Sequence, residues 1–158
     1  MKKINKTNAM RILDSMGIEY DYISYECEDG KIDGVSVAHK TGQNPETVFK
    51  TLVSVGHSKE LYVFCIPVEY ELDLKKAAKA SNEKNIELLP LKELTKNTGY
   101  IRGGCSPIGM KKHYKTLIDE TASLNDKILV SAGCIGVQLV INPDDLLKAS
   151  EASYEDLI

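Results

Sequence analysis

Residues 103–109 have the sequence Gly-Gly-Cys-Ser-Pro-Ile-Gly and are followed at once by Met-Lys-Lys-His at 110–113. Three glycines, a serine and a proline in seven residues exclude a regular helix or strand, because glycine reaches positive φ without steric cost and proline fixes φ and lacks an N–H. We therefore predict a shaped loop, called the glycine loop below. Small side chains would let a ligand approach its backbone N–H groups, and the lysines put positive charge at its mouth. The composition favours an anion or carbonyl site, although a bend between strands has the same signature.

Short helices and strand-like runs alternate on both sides of the glycine loop. The apolar run 61–67 predicts a central strand that pairs in a hairpin with 48–55, and 127–131 with 137–141 predicts a second hairpin. Helices are predicted after the caps Thr7, Asp73 and Asn142. Residues 26–34, with four acids and two glycines, predict an exposed loop. We also expect 100–102 and 116–119 to be strands that the glycine loop joins. Hairpins instead of helical crossovers predict an α+β fold, with a mixed, mostly antiparallel sheet curled toward a barrel and helices packed around it.

The composition is that of a soluble globular protein. The 158 residues are 42% hydrophobic and 27% charged, contain no apolar run long enough to span a bilayer, and predict one domain over 1–158. The basic residues at 1–6 lead into a polar segment, which favours a cytoplasmic protein over a secreted one. The net charge of −3 argues against coating nucleic acid. The four cysteines form no metal-ligand pattern, and we expect reduced thiols and no metal.

Two single residues are ambiguous from composition alone. Lys50 interrupts an apolar strand. It either extends its methylenes over apolar surface with the ammonium in water, or holds a partly desolvated ammonium ready for an anionic or carbonyl oxygen. Cys105 is either a small packing residue or a nucleophile that pairs in space with a histidine. The candidate histidines are His39, His57 and His113.

Four motifs carry a resemblance to a known family. They are Val-Phe-Lys-Thr-Leu at 48–52, Leu-Asp-Leu-Lys-Lys at 72–76, the segment 99–112 with the glycine loop, and Val-Ser-Ala-Gly at 130–133. In this order they resemble the YbaK/EbsC-type aminoacyl-tRNA deacylases, and the resemblance extends from about Thr7 to Leu146. It is closest to the free-standing Cys-tRNA(Pro) deacylases, which remove cysteine mischarged on proline tRNA by prolyl-tRNA synthetase. It implies a barrel-like core of six or seven strands, one small pocket, and neither metal nor cofactor.

The resemblance also implies roles for individual residues. Lys50 and Gly103 fall on the functional pair, Pro107 completes the loop, and Tyr25 and Ser131 match positions that line the same pocket. The implied substrate-binding set further includes Phe49, Thr51, Gly104, Cys105 and Ser106. The cations that follow the glycine loop are implied contacts for the tRNA acceptor stem: Lys111, Lys112 and Lys115, with His113.

Two positions depart from the family pattern. Gln138 stands where relatives often carry an aspartate, so any ionic role is lost there. Cys105 stands where relatives commonly have an aliphatic residue, which favours packing over a nucleophile. In the family mechanism the thiol of the esterified cysteine attacks its own carbonyl, and the protein orients the substrate and stabilises the oxyanion.

From the resemblance we expect a trans-editing enzyme that releases cysteine from mischarged Cys-tRNA(Pro). Its partners would be the tRNA(Pro) acceptor end and prolyl-tRNA synthetase, with neither DNA nor membrane. Two alternatives stay open at this stage. One is an editing enzyme for another small amino acid such as alanine, and the other is a non-catalytic module that holds charged tRNA or docks on a synthetase.

Overall fold

The computed structural model describes residues 5–158, in which five α-helices surround eight β-strands. The basic residues 1–4 lie outside the described part. The helices are α1 Asn8–Ser15, α2 Gly34–Thr41, α3 Leu74–Ser81, α4 Leu91–Thr98 and α5 Pro143–Ser150. The strands are β1 Asp21–Ser24, β2 Phe49–Gly56, β3 Leu61–Pro67, β4 Ile86–Leu88, β5 Lys115–Asp119, β6 Ile128–Ser131, β7 Val137–Ile141 and β8 Ser153–Glu155. Single 3₁₀ segments occupy Pro45–Thr47 and Glu120–Leu124.

The helix boundaries follow from local side-chain chemistry. Four helices start where a side-chain oxygen of the preceding residue accepts a backbone N–H, with Thr7, Asp33, Asp73 and Asn142 as the caps. The three predicted caps are thereby confirmed. Within residues 5–158, no helix has the length and apolar content that a membrane span requires.

The strands form two sheets that meet along one side. The first has the order β1-β7-β6 and the second β4-β2-β3-β5-β8. Both predicted hairpins are confirmed, because β2 pairs with β3 and β6 with β7 in antiparallel register. Four of the six strand pairs are antiparallel, and β5 pairs in parallel with both β3 and β8. An isolated parallel bridge between Val48 and Leu129 connects the sheets.

These pairings confirm the α+β class and the mostly antiparallel sheet, but they correct its closure. Eight strands in two sheets replace the six or seven of a single barrel-like sheet. The two sheets do not close into one barrel, because a single residue pair, Val48 just before β2 with Leu129 of β6, bridges them. The strand β8, which sequence reasoning did not find, extends the edge of the second sheet beyond β5.

The expectation of a strand before the glycine loop is wrong. Residues 100–102 form no strand and lead into a turn at 102–103, so the glycine loop lies between α4 and β5. Gly99 ends α4 in the left-handed region at φ +83°, and the Gly104 N–H then donates to the Ile101 carbonyl, 3.0 Å away. Both edges of β5 are already paired, with β3 and β8, so the preceding residues have no free ladder to join.

The core lies on both faces of β3, which explains its unbroken apolar run. Tyr62, Phe64 and Ile66 face one hydrophobic cluster with α3, whereas Cys65 belongs to a larger cluster that includes residues of both sheets. Side chains from α1 and α5 close the larger cluster, among them Met10, Leu13 and Leu146. The sheets are thus held together by apolar burial, at roughly 25 cal/mol per Å² of buried apolar area, more than by backbone pairing.

Candidate functional site

One cavity of about 670 Å³ opens where the two sheets, the glycine loop and the chain before α2 meet. Its floor comes from β2, one wall from the glycine loop, a second from the segment that leads into α2, and a third from β6 and β7. The lining residues are Tyr25, Gly30, Ile32, Asp33, Gly34, Val35, Val37, Phe49, Lys50, Thr51, Leu52, Val68, Arg102, Gly103, Cys105, Ser131 and Gln138.

The cavity brings together seven of the ten catalytic and substrate-binding residues predicted from sequence. They are Tyr25, Phe49, Lys50, Thr51, Gly103, Cys105 and Ser131. Gly104, Ser106 and Pro107 do not line it. Ser106 is fully buried and its hydroxyl accepts the Ile108 N–H at 3.3 Å, while Pro107 borders a separate hollow of about 150 Å³. Gly104, Ser106 and Pro107 therefore contribute to the conformation of the glycine loop and not to the cavity surface.

Lys50 supplies a cation at the floor of the cavity. It lies on β2 opposite Ile66 of β3, and 27% of its side chain is exposed. Its ammonium is 3.9 Å from the Glu71 carboxylate, but that side chain is 94% exposed. A solvent-screened pair of this kind is worth little, about 1 kcal/mol or less. The Lys50 ammonium therefore remains available to an anionic or carbonyl oxygen in the cavity.

The glycine loop needs its first two glycines for different reasons. Gly103 has φ +83°, and a Cβ there would lie 2.7 Å from Ile32 Cδ1. A Cβ on Gly104 would lie 3.1 Å from the backbone of Cys134 and Ile135, in the turn between β6 and β7. The loop backbone thus packs directly on another backbone, a closeness that favours glycine.

Two residues of this loop that line the cavity have backbone N–H groups that are unused within residues 5–158. Neither the Gly103 N–H nor the Cys105 N–H donates a hydrogen bond to another group of the described chain. Both residues line the cavity. Unpaired N–H groups that share a cavity with a lysine ammonium are the kind of groups that can stabilise an oxyanion.

Tyr100 braces the glycine loop, a role that the sequence analysis did not find. Its hydroxyl donates to the Ile108 carbonyl at 2.5 Å. Its ring lies against Gly133, where an added Cβ would be 3.1 Å from Cε1. Burial raises the pKa of Tyr100 to about 12, so the phenol stays protonated and keeps donating at neutral pH.

Cys105 is a packing residue with an unreactive thiol. It is 7% exposed and shares a hydrophobic cluster with Val53 and Val63. Burial, with a smaller contribution from Cys65, raises the pKa of Cys105 to about 12. No histidine lines the described cavity, so His39, His57 and His113 do not form a dyad with Cys105 there. The geometry therefore supports the packing interpretation and not the enzyme nucleophile.

The predicted tRNA-contacting cations do not line the cavity. Lys111, Lys112 and Lys115 are all exposed. The Lys111 ammonium approaches the Lys96 carbonyl at 3.4 Å, and Lys112 borders the smaller hollow. The His113 ring lies 3.3 Å from the Glu151 carboxylate. Contact of these residues with an acceptor stem stays a prediction.

Several wall residues were not singled out from the sequence. Ile32 and Asp33 line the cavity, although the sequence suggested that residues 26–34 were an exposed acidic loop. The available signal was Ile32, an apolar residue in an otherwise polar run. Arg102 also lines the cavity, and its position next to Gly103 was the clue. Gln138 is 7% exposed, and its Oε1 has no hydrogen-bond partner within residues 5–158.

The described residues contain no group of three His, Cys, Asp or Glu side chains that could hold a metal ion. Lys50 and Arg102 are the cavity's cations and Asp33 its carboxylate. Such a lining offers two cations and one carboxylate to a polar ligand.

Comparisons with known proteins agree with this geometry. Residues 33–149 match the family model described as the aminoacyl-tRNA editing domain. A protein of Enterococcus faecalis (strain ATCC 700802 / V583), provisionally named Cys-tRNA(Pro)/Cys-tRNA(Cys) deacylase EbsC, is 42% identical over 156 residues, which cover 99% of this chain and 95% of that protein.

Two crystal structures show the same fold at low sequence identity. One is a provisionally assigned trans-editing enzyme for prolyl tRNA synthetase, with a TM-score of 0.82 and 21% identity over 96% of this chain and 97% of that one. The other is a protein described only as hypothetical, with a TM-score of 0.84 and 18% identity over 93% of this chain and 96% of that one.

The burial of Cys105 gives a prediction for thiol chemistry. With a pKa of about 12, about one Cys105 in ten thousand is a thiolate at pH 8. Iodoacetamide at pH 8 should therefore modify the half-buried Cys27 and Cys134 first and leave Cys105 unmodified until the chain is unfolded in urea. Peptide mass mapping over time measures the order. Modification of Cys105 in the folded protein at the rate of Cys27 would contradict the packing role.

Proposed function

The chain belongs to the family of aminoacyl-tRNA editing domains, and we propose that it is a free-standing deacylase that releases cysteine from mischarged Cys-tRNA(Pro). The observation that carries the proposal is that Lys50 and Gly103, whose N–H is unpaired within residues 5–158, line one cavity in which the described residues place no activated protein nucleophile. The 42% identical relative bears a name with the same activity. The cavity is also large enough for an aminoacyl group with part of its nucleoside.

The missing nucleophile is the central chemical constraint. Deacylation requires attack on the ester carbonyl, and neither a histidine nor an ionised thiol of the protein lines the described cavity. A cysteinyl ester carries its own thiol. We therefore assign the nucleophile to the substrate, which the protein has only to hold in an attacking geometry.

In this reaction the substrate sulfur forms a bond to its own carbonyl carbon, and the bond from that carbon to the ribose oxygen breaks. The thiol proton passes to the departing ribose oxygen, so the products are a cyclic thiolactone and an uncharged tRNA 3′ end. The Gly103 N–H donates to the oxyanion that develops on the carbonyl. The Lys50 ammonium orients the terminal adenosine and offsets negative charge on the leaving oxygen.

Recognition of the remaining substrate falls to the cavity walls and the neighbouring surface. Tyr25, Phe49, Thr51 and Ser131 enclose the aminoacyl group, and the exposed Lys111, Lys112 and Lys115 approach acceptor-stem phosphates. A chain with net charge −3 neutralises only a few phosphates, which suits weak, salt-sensitive binding. Association with prolyl-tRNA synthetase would deliver the mischarged tRNA, and both partners place the reaction in the cytoplasm.

Substrate choice tests the proposal directly. The protein is incubated with Cys-tRNA(Pro), Ala-tRNA(Pro), Cys-tRNA(Cys) and Pro-tRNA(Pro), and loss of each ester is followed. We expect rapid loss of cysteine from tRNA(Pro) and retention of proline, since only the cysteinyl ester has a thiol. Preferred loss of alanine would establish a different editing substrate. Binding of the charged tRNA without any ester loss would establish a non-catalytic module.

Three variants test the roles of the cavity residues. Lys50→Ala should lower the single-turnover rate on Cys-tRNA(Pro) by at least about tenfold, equivalent to roughly 1.4 kcal/mol of transition-state stabilisation. Gly103→Ala should be comparably harmful, because its methyl group would meet Ile32 and strain the backbone at φ +83°. Cys105→Ser should retain most of the activity.

Circular dichroism checks that each variant is folded, and Lys148→Ala, an exposed lysine of α5, is the matched control for charge. An inactive Cys105→Ser together with an active Lys50→Ala would assign the chemistry to a protein thiol and overturn the proposed roles.

A further inference from the structure

The cavity wall opposite the glycine loop is formed by chain without regular secondary structure. Residues 26–31, called the wall loop below, lead into Ile32 and Asp33 before α2 begins. Gly30, Ile32 and Asp33 line the cavity. Ile32 Cδ1 lies close enough to Gly103 to be 2.7 Å from a Cβ placed there. The position of the wall loop therefore determines how narrow the cavity is beside Gly103.

The wall loop has little structure of its own. Its internal hydrogen bonds are the Gly30 N–H to the Cys27 carbonyl at 3.1 Å and the Lys31 N–H to the Asp29 carboxylate at 3.0 Å. Backbone segments held only by such local bonds open readily. Something else must keep this loop against the cavity.

Lys40 provides that hold from a neighbouring helix. Its ammonium donates to the Glu26 carbonyl at 2.7 Å, the Asp29 carboxylate at 2.7 Å and the Lys31 carbonyl at 2.9 Å. Within residues 5–158, the wall loop makes one other hydrogen bond to the rest of the chain, the local one that its Gly30 carbonyl accepts from the Ile32 N–H at 3.1 Å, so all its long-range hydrogen bonds come from this ammonium. The three acceptors use all three ammonium protons.

The geometry differs from that of an ordinary surface ion pair. The Lys40 side chain is 19% exposed, so water competes weakly for its protons. Its helix is fixed, because Val37 and Ala38 of α2 are 2% and 0% exposed. The ammonium reaches from a rigid helix to the first and last residues of the wall loop. The ammonium thus holds both ends of the wall loop and not a single residue of it.

We infer that Lys40 is a positioning residue, which clamps the wall loop and thereby holds Ile32 against Gly103 at the closed side of the cavity. The inference rests on the proposed function only for the consequence of the clamp, which is that the cavity binds the aminoacyl ester more tightly and selects its size more strictly. The clamp itself is a property of the protein without substrate. Lys40 itself does not line the cavity, so its loss should weaken binding more than the chemical step.

The clamp is tested first without any substrate. Protease Glu-C, which cuts after glutamate, has the sites Glu26 and Glu28 in the wall loop. Lys40→Met keeps the length of the stem and removes the ammonium. Under native conditions we expect cleavage at these two sites to become at least about tenfold faster in Lys40→Met, with Lys40→Arg close to wild type. Lys148→Met is the control for loss of an exposed lysine. Equal cleavage rates in Lys40→Met and wild type would overturn the clamp.

Single-turnover deacylation of Cys-tRNA(Pro) then tests the consequence for the cavity. We expect Lys40→Met to raise the half-saturating protein concentration at least about fivefold and to change the maximal rate less than about twofold. Binding selectivity should also weaken: Pro-tRNA(Pro), which has no thiol and keeps its ester, should compete with Cys-tRNA(Pro) more effectively in Lys40→Met than in wild type, because a loosened wall admits larger side chains. A fall in the maximal rate with unchanged half-saturation and selectivity would contradict the positioning role.

A second variant guards against misfolding of Lys40→Met. Asp29→Asn removes the charge of one of the three acceptors, and we expect about two- to threefold faster Glu-C cleavage. In the Lys40→Met background the same change should add nothing, since the partner is gone. Additive effects would show that the contact does not exist. If wild type releases no amino acid at all, the proposed function fails, while the cleavage results still decide the clamp.

Discussion

The close packing of the glycine loop on the turn between β6 and β7 is the constraint on which the site depends. An added Cβ on Gly104 would be 3.1 Å from the backbone of Cys134 and Ile135, so a side chain there would press on that backbone. The contact brings Gly103 to the cavity on one side, and the Tyr100 hydroxyl holds the loop at the Ile108 carbonyl. The two sheets share one isolated bridge, and the loop adds a second region where elements of both meet. The contact between the glycine loop and the turn that joins β6 to β7 therefore shapes the cavity and also connects the two sheets.

Burial of Cys105 in the same loop explains why this thiol does not act as the nucleophile. Cys105 packs into the hydrophobic cluster that supports the loop, and this burial raises its pKa to about 12. A thiol in that environment stabilises the loop by packing and is lost as a nucleophile. The groups that remain at the cavity surface, the Lys50 ammonium and the backbone donors at Gly103 and Cys105, stabilise negative charge. A site of this kind suits a substrate that brings its own nucleophile.

Local chemistry in the sequence predicted much of the fold. Helix caps such as Asp73, and the apolar run of β3, are short-range signals, and the structure confirms them. The extent of the sheets was not predictable in the same way. The pairing of β8 with β5 links residues far apart in the chain, and a three-residue strand has no periodicity to detect. Residues 100–102 were predicted to be a strand because the sequence does not show that both edges of β5 are already paired, with β3 and β8.

In the candidate site, too, some residues were predictable from the sequence and those that depend on long-range contacts were not. The resemblance to a known family directed attention to Lys50 and Gly103, and the structure places both at one cavity. The wall loop was interpreted as exposed because its acids dominate its composition. Its position depends on an ammonium fourteen residues away from its first residue, Glu26, and no local pattern encodes that contact. Residues that act by holding a wall are therefore the ones that sequence reasoning missed.

The central claim is that the substrate supplies the nucleophile, and a pair of esters that differ in one atom tests it most directly. Single-turnover deacylation is measured for Cys-tRNA(Pro) and Ser-tRNA(Pro), which carry sulfur and oxygen at the same position. The account predicts loss of the cysteinyl ester at least about a hundredfold faster, a difference of roughly 2.7 kcal/mol in activation free energy. Equal rates for the two esters would contradict it, because the attacking group would then belong to the protein or to water.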